Sequence, residues 1–490
     1  MVSAHGVAVD ALIQQADHPG SARACDVHFG ARVVEVLSAA EQSLANGHVE
    51  TVSYGSGEKG ERSVRCSSVA AGSRSAQPTP SDPNGPNHNV WAQPGWANLV
   101  QTADQSSMMG RLADAARSSV SLSFRQAMLT ETHQATAGAQ STGLRLIDAD
   151  IHVEVPRADV LFPYLAEHWI EHIKQSRFKG PSDGDSPYPP QSPVAARPGT
   201  RPGNGPAGSD LDLLCSQALE QPRVDLAIAN CSYAIDSIHH PDAAVALASA
   251  VNDWLIGEWL DKEPRLRASM VVPSQLPELA AREIDRVGGH PGFVQVYLPV
   301  RAQHPYGTRL FRPMWDAIVR RDLVAGIHFG GAPGNPPTPS GWPSYYFEEY
   351  AGMAQVFASQ LTSLINEGVF DQWPTARVTL IEAGWTWLPP HLWRYDKEWR
   401  NLRMLVPWVK RAPSAYVREH MRFTIQPIDA PTSTQQLLEV VEELESDELL
   451  LYASDYPHLH HADPLHFLNG LPHDLGRKVA SENARAWYRL

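Results

Sequence analysis

From Leu144 onward the chain alternates between two textures. Short apolar runs are separated by stretches whose apolar positions recur at helical spacing. The apolar runs are Leu144–His152 (LRLIDADIH), Val224–Cys231 (VDLAIANC), Ala268–Pro273 (ASMVVP), Gly292–Pro299 (GFVQVYLP), Leu323–Gly331 (LVAGIHFGG), Arg377–Gly384 (RVTLIEAG), Arg422–Pro427 (RFTIQP) and Leu449–Asp455 (LLLYASD). Helical periodicity fills the gaps, as in residues 243–260, 277–287, 311–321, 434–445 and 474–490. Eight buried strands alternating with helices over residues 144–490 predict an α/β fold, a (β/α)8 barrel of the TIM type. A doubly wound open sheet is the rival. It would place a glycine-rich phosphate loop between an early strand and its helix. No strand of the series is followed by such a loop, and G-x-x-x-x-G-K-S/T does not occur.

Residues 1–143 show no such alternation. Helix-like patches at Ala31–Ala45 and Met108–Met128 flank a stretch rich in Pro, Asn, Ser and Gly at Ser75–Asn89. That stretch buries too little apolar surface to offset chain entropy. The segment reads as a weakly ordered leader, and residues 144–490 as the folded barrel. One interruption in the barrel, residues 178–210, is thick with Pro and Gly. It follows the first strand, where a long loop sits over the active-site end of a barrel. Tyr188 with its neighbouring prolines reads as part of a lid.

Composition narrows the class. Lys plus Arg number 40 and Asp plus Glu 54, a net charge of −14. That excludes a basic nucleic-acid face. Hydrophobic residues are 43% and charged residues 19%, which suits a folded globular protein rather than a disordered one. No apolar run is long enough for a membrane span, and the start of the chain lacks the pattern of a secretory signal. The four Cys have no C-x-x-C spacing. These features point to a soluble, cytoplasmic protein acting on a small molecule.

The chemistry lies at the strand ends. Asp150 and His152 close the first strand as D-x-H, and residues i and i+2 of a strand share a face. His328 ends the fifth strand before Gly330 and Gly331, which let the backbone turn sharply. Asp455 ends the eighth, directly after an apolar run where an unpaired carboxylate is costly. Each residue alone reads as a turn aspartate or a core histidine. Together they occupy one end of one barrel, which is a single surface. Two imidazoles with one or two carboxylates suit one divalent cation, Zn²⁺ first and Mn²⁺ as the alternative.

These residues carry a resemblance. D-x-H on the first strand, His on the fifth and S-D-Y-P-H on the eighth resemble the amidohydrolase superfamily. The nearest branch is the amidohydrolase-related group that includes aminocarboxymuconate-semialdehyde decarboxylase. The resemblance runs from Leu144 to Leu490, supported by the stretches YLPVRAQHPYG, IEAGWTWLPPHLWRYDKEWR and SDYPHLHHADP. It implies a mononuclear metal site with Asp150, His152, His328 and Asp455 as ligands, and a homodimer. Decarboxylases of the group carry a catalytic His on the sixth strand, where this chain has Glu382. A carboxylate there can act as acid, base or extra ligand but does not copy a neutral imidazole. The structural alternative pairs Glu382 with Arg377 or Arg394.

Arg301 and His304 follow the fourth strand, and a guanidinium there can grip a substrate carboxylate. His458 is placed to orient Asp455 or the substrate, with His460 and His461 read as solvated. Trp385 is expected to wall an apolar pocket. Three functions follow. The first is a metal-dependent hydrolase in which water activated at the ion attacks an amide, ester, lactone or activated C–C bond, with Asp455 and Glu382 as catalytic groups. The second is a metal-dependent decarboxylase of an aromatic or enoic acid. The third is an inactive barrel serving as a binding protein.

Overall fold

The computed structural model describes residues 50–55, 61–66, 144–181, 196–203, 205–220, 223–331, 336, 338, 340–431 and 433–490. The chain divides into two units, residues 1–111 and 112–490. In the first, Glu50–Gly55 (β1) pairs antiparallel with Glu61–Cys66 (β2), Glu50 opposite Cys66 and Gly55 opposite Glu61. This hairpin went unread in the sequence, where composition drew attention and the short alternation did not. The helix-like patches at 31–45 and 108–128 and the middle of the Pro/Gly-rich loop, residues 182–195 with Tyr188, lie outside the described residues.

In the second unit the eight apolar runs become eight strands. They are Leu146–His152 (β3), Val224–Asn230 (β4), Leu266–Val271 (β5), Phe293–Pro299 (β6), Val324–His328 (β7), Val378–Ile381 (β8), Met421–Thr424 (β9) and Leu450–Leu451 (β10). All neighbours pair in parallel and in sequence order. The ring then closes between first and last. Ala149 N donates to Tyr452 O at 2.9 Å, Asp455 N to Asp150 O at 3.0 Å and His152 N to Tyr456 O at 2.6 Å. The eight-stranded parallel barrel expected from periodicity is therefore the observed fold.

Helices cover the outside because their apolar stripes need the outward faces of the strands. Pro277–Val287 buries Ala280, Ile284 and Val287, and Arg312–Arg320 buries Met314, Trp315 and Ile318. Several helices start on Pro in the first turn, where its missing N–H costs nothing. A smaller apolar cluster, with Ile147, Ile228, Val324 and Leu451, receives Trp487 and Tyr488 from the last helix, Asn483–Tyr488. Tyr488 Oη reaches Gln295 Oε1 at 2.8 Å and Thr379 Oγ1 at 2.9 Å, and Trp487 Nε1 donates to Thr379 at 3.0 Å. A buried polar chain continues from Gln295 through Ser269 and Asn230 to Asp150. The barrel interior thus runs from apolar, through neutral polar, to charged groups at the strand C-termini.

The described end of the long loop packs on that charged end. Arg197 donates to His458 O at 2.8 Å and to Ser454 O at 2.9 Å. Gly208, at φ +81, lies where a Cβ would sit 2.7 Å from His152 O, so only glycine fits.

Candidate active site

On β3, Asp148, Asp150 and His152 recur at every second position, and all are buried. Asp148 Oδ1 accepts from Asp150 N at 3.2 Å and from Ser454 N at 3.0 Å, tying the first strand to the last. Burial pushes its carboxyl up to about 7, against the pull of the Ser454 hydrogen bonds. Asp148 was missed from the sequence although it lies on the same period of two.

His152 Nε2 stands 3.0 Å from Asp455 Oδ1, 3.2 Å from Glu382 Oε1 and 3.6 Å from Asp150 Oδ1. His328 Nε2 stands 3.3 Å from Glu382 Oε1 and 3.5 Å from Asp150 Oδ1. His328 Nδ1 is 2.8 Å from Phe329 O, so it carries the hydrogen and donates there. That leaves Nε2 facing two carboxylates without a hydrogen-bond partner, and Asp150 Oδ2 is likewise unpartnered. A lone pair aimed at carboxylates is repulsive unless a proton or a cation lies between them. Burial lowers the His152 imidazole, but Asp150, Asp455 and Glu382 outweigh it and hold it well above its ordinary value. His328 is raised by the same balance, burial against Glu382 and Asp150.

Glu382 and Asp455 both occupy the left-handed region, at φ +59 and +52. A non-glycine residue there costs roughly 1–3 kcal/mol, a strain found where surrounding structure holds a functional group in place. Glu382 N donates to Thr424 Oγ1 at 3.0 Å, and Asp455 N to Asp150 O. The two carboxylates of Asp455 and Asp150 are fully buried, and Glu382 nearly so. Each pairs with imidazoles, and among the described residues no Lys or Arg forms an ion pair with them. Asp455 Oδ1 lies 2.6 Å from His458 Nδ1 and Oδ2 lies 2.5 Å from His460 Nε2. Burial would raise this carboxyl, but His458, His152 and His460 hold it well below the usual range. Burial lowers His458 and Asp455 raises it, with a net rise.

Two overlapping donor sets result, Asp150–His152–His328–Glu382 and His152–Glu382–Asp455–His458, each with its ligand atoms within 4.8 Å of one another. A surplus of buried carboxylate with unpartnered imidazole nitrogen is the donor chemistry of a divalent-cation site. The residues present fit such an ion.

His152, His328, Glu382 and His458 form one side of a cavity of about 230 Å³. Tyr297, Phe329, Tyr346 and Tyr350 line its walls, with Arg301 and Glu349 beside them. The Arg301 Nη1 to Glu349 Oε1 distance is 3.4 Å and both side chains are buried. Glu349 and the two tyrosines come from the helix Tyr346–Asn366, which the sequence reading passed over for substrate contacts.

Several expected residues fall elsewhere. His304 is exposed and lines a separate hollow of about 110 Å³ with Leu310 and Phe311, because the chain runs outward after Arg301. Trp385 is fully buried, edge-on to Phe467 at 6.0 Å, and does not line the cavity. Gly384 at φ +62 and the Asp429 carboxylate, which accepts from Trp385 N, turn it into the core. His460 was read as solvated but grips Asp455, while His461 is exposed. Arg377 pairs with Asp322 at 2.8 Å, not with Glu382.

A family model described as amidohydrolase matches residues 147–490. The chain belongs to the amidohydrolase family. Gamma-resorcylate decarboxylase of Rhizobium sp. (strain MTP-10005) is 26% identical over 273 residues, 52% of this chain and 80% of that one. Among solved structures, 5-carboxyvanillate decarboxylase from Sphingomonas paucimobilis matches with a TM-score of 0.53 at 22% identity, over 71% of this chain and 99% of that one. The corresponding enzyme from Novosphingobium aromaticivorans, complexed with manganese and 4-hydroxy-3-methoxy-5-nitrobenzoic acid, matches with a TM-score of 0.53 at 20% identity, over 72% and 98%. This chain is an enzyme of the same barrel family. Among the described residues no helix is long and apolar enough to cross a membrane.

Proposed function

We propose that this enzyme is a carboxy-lyase that removes carbon dioxide from a hydroxylated aromatic acid, dependent on one divalent ion, Mn²⁺ or Zn²⁺. The observation that carries the reading is the aromatic-walled cavity that joins Arg301 to the buried carboxylate–imidazole cluster. The 26% identical relatives named gamma-resorcylate decarboxylase support it, and they favour it over the hydrolytic reading put first from the sequence. Manganese in the Novosphingobium structure supports Mn²⁺ beside Zn²⁺.

Asp150, His152 and His328 would hold the ion, with the Glu382 and Asp455 carboxylates at hand to complete the set. A bound divalent cation supplies a Lewis acid that anchors and polarises substrate oxygens. Arg301 binds and orients the acid through charge-assisted hydrogen bonds. Tyr297, Phe329, Tyr346 and Tyr350 hold the ring and exclude water. Asp455 and His458, joined by their 2.6 Å hydrogen bond, act as one proton-donating pair, and His458 faces the cavity. The proton passes to the ring carbon that bears the carboxylate. The bond from that carbon to the carboxylate then breaks, its electron pair restores the aromatic ring, and carbon dioxide leaves.

The test is incubation of the Mn²⁺-loaded enzyme with 2,6-dihydroxybenzoate and related hydroxybenzoates, with carbon dioxide and the free phenol measured. Release of both in equal amounts is expected. Ester or lactone hydrolysis without carbon dioxide would instead reinstate the hydrolase, which Glu382 in place of an imidazole favours as the second reading.

A further inference from the structure

The family pattern gives the ion a ligand from the last strand, Asp455. The structure distributes its carboxylates differently. We propose that Glu382, and not Asp455, completes the ion-binding set with Asp150, His152 and His328, leaving Asp455 to its histidines.

Three observations lead there. The first is mutual reach. The ligand atoms of Asp150, His152, His328 and Glu382 all lie within 4.8 Å of one another, whereas Asp455 joins only a set that lacks Asp150 and His328. The second is commitment. Both Asp455 oxygens are already engaged by imidazoles, at 2.6 Å to His458 and 2.5 Å to His460. Asp455 Oδ1 also meets His152 Nε2, at 3.0 Å, but it does not reach His328; among the described residues the ion-pair partners of Glu382 Oε1 are the Nε2 atoms of both His152 and His328, at 3.2 and 3.3 Å, which are ligand candidates themselves. The third is support. Glu382 is fixed in a left-handed conformation, with its N–H held by Thr424, so its carboxylate is set in place before any ion arrives.

The assignment also explains why this chain does without the imidazole of the decarboxylases at this position. The inference rests on the ion dependence proposed above, but its test needs no substrate, so a metal-binding protein whose ligands prove to be otherwise assigned leaves the proposed reaction standing.

The full-length protein, stripped with a chelator, is titrated with Mn²⁺ and the free ion followed by electron paramagnetic resonance. Loss of an outer partner costs about 10- to 100-fold in metal affinity. Asp455→Asn, which touches His152 from outside the set, should stay within that range, and Glu382→Gln should be weaker by at least a further ~10-fold. If Glu382→Gln does not fold, Glu382→Asp, which retracts the carboxylate by one methylene, carries the comparison and should also bind less tightly than Asp455→Asn. Equal losses, or a greater loss at Asp455, overturn the assignment. Wild-type protein that takes up no Mn²⁺ overturns it together with the ion itself.

Discussion

Glu382 and Arg301 show how much a single side chain depends on its partners. Glu382 stands where the resembled decarboxylases carry an imidazole, and it faces both candidate imidazole ligands rather than an arginine. Arg301 is buried against Glu349, also buried. Replacing Arg301 with Met removes the donor for the substrate acid and strands Glu349 in the cavity wall. Leaving one member of a buried pair alone costs about 3–5 kcal/mol. Arg301→Met should therefore lower Tm and raise KM. The double variant Arg301→Met with Glu349→Met should recover most of the stability but none of the affinity. Thermal melts and steady-state kinetics on the three proteins separate the two effects, and an unchanged KM would remove Arg301 from substrate binding.

At the scale of elements, the turns after the strands do the positioning. After β7 the chain turns on Gly331 at φ +92, where an added Cβ would lie 2.4 Å from the backbone oxygen of Arg301. The close approach continues the pairing of β6 with β7 past Pro299 and His328, with Arg301 N donating to Gly330 O at 3.1 Å. Gly331→Ala is expected to destabilise the barrel by more than ~1 kcal/mol and to lower kcat/KM with the metal retained. Activity and Tm both at wild-type level would show that this turn tolerates a side chain. The polar residues of this layer were legible as types in the sequence. Their direction was not, because Glu382 and Gly384, both left-handed, send neighbouring residues to opposite sides. That is why Glu382 reached the site and Trp385 the core.

For the whole molecule, two outcomes are expected. Deleting residues 1–143 should leave a folded barrel that binds one metal ion per chain, since β3 to β10 and the closing helix all lie beyond that point. Sedimentation and metal content test this, and insoluble protein would place part of the fold within the deleted segment. The second concerns acid. His420 is buried, stacked on Phe370 with centroids 4.5 Å apart, and burial holds its imidazole below the ordinary 6.5. The unfolded chain then takes up the proton first. Its contribution to stability is complete above pH 6.5 and is lost as pH falls through the lower folded value. The acid-side fall of Tm should be shallower in His420→Gln than in the wild type, and parallel curves would rule the residue out.

The order and number of the barrel strands were written into the sequence, because a strand buried on both faces must be apolar throughout and each helix must show a stripe. The polar residues at the ends of those strands could be named for the same reason, since a charge directly after an apolar run is conspicuous. Which of them meet was a different question. Asp148 could have been read from the period of two on β3, but His460, Glu349 and the cavity tyrosines come from distant parts of the chain, and no local pattern ties them to His152. Only closure of the ring, with β10 hydrogen-bonded to β3, brings these groups within reach, because hydrogen bonds and Coulomb forces act over a few ångströms of space and not along the chain.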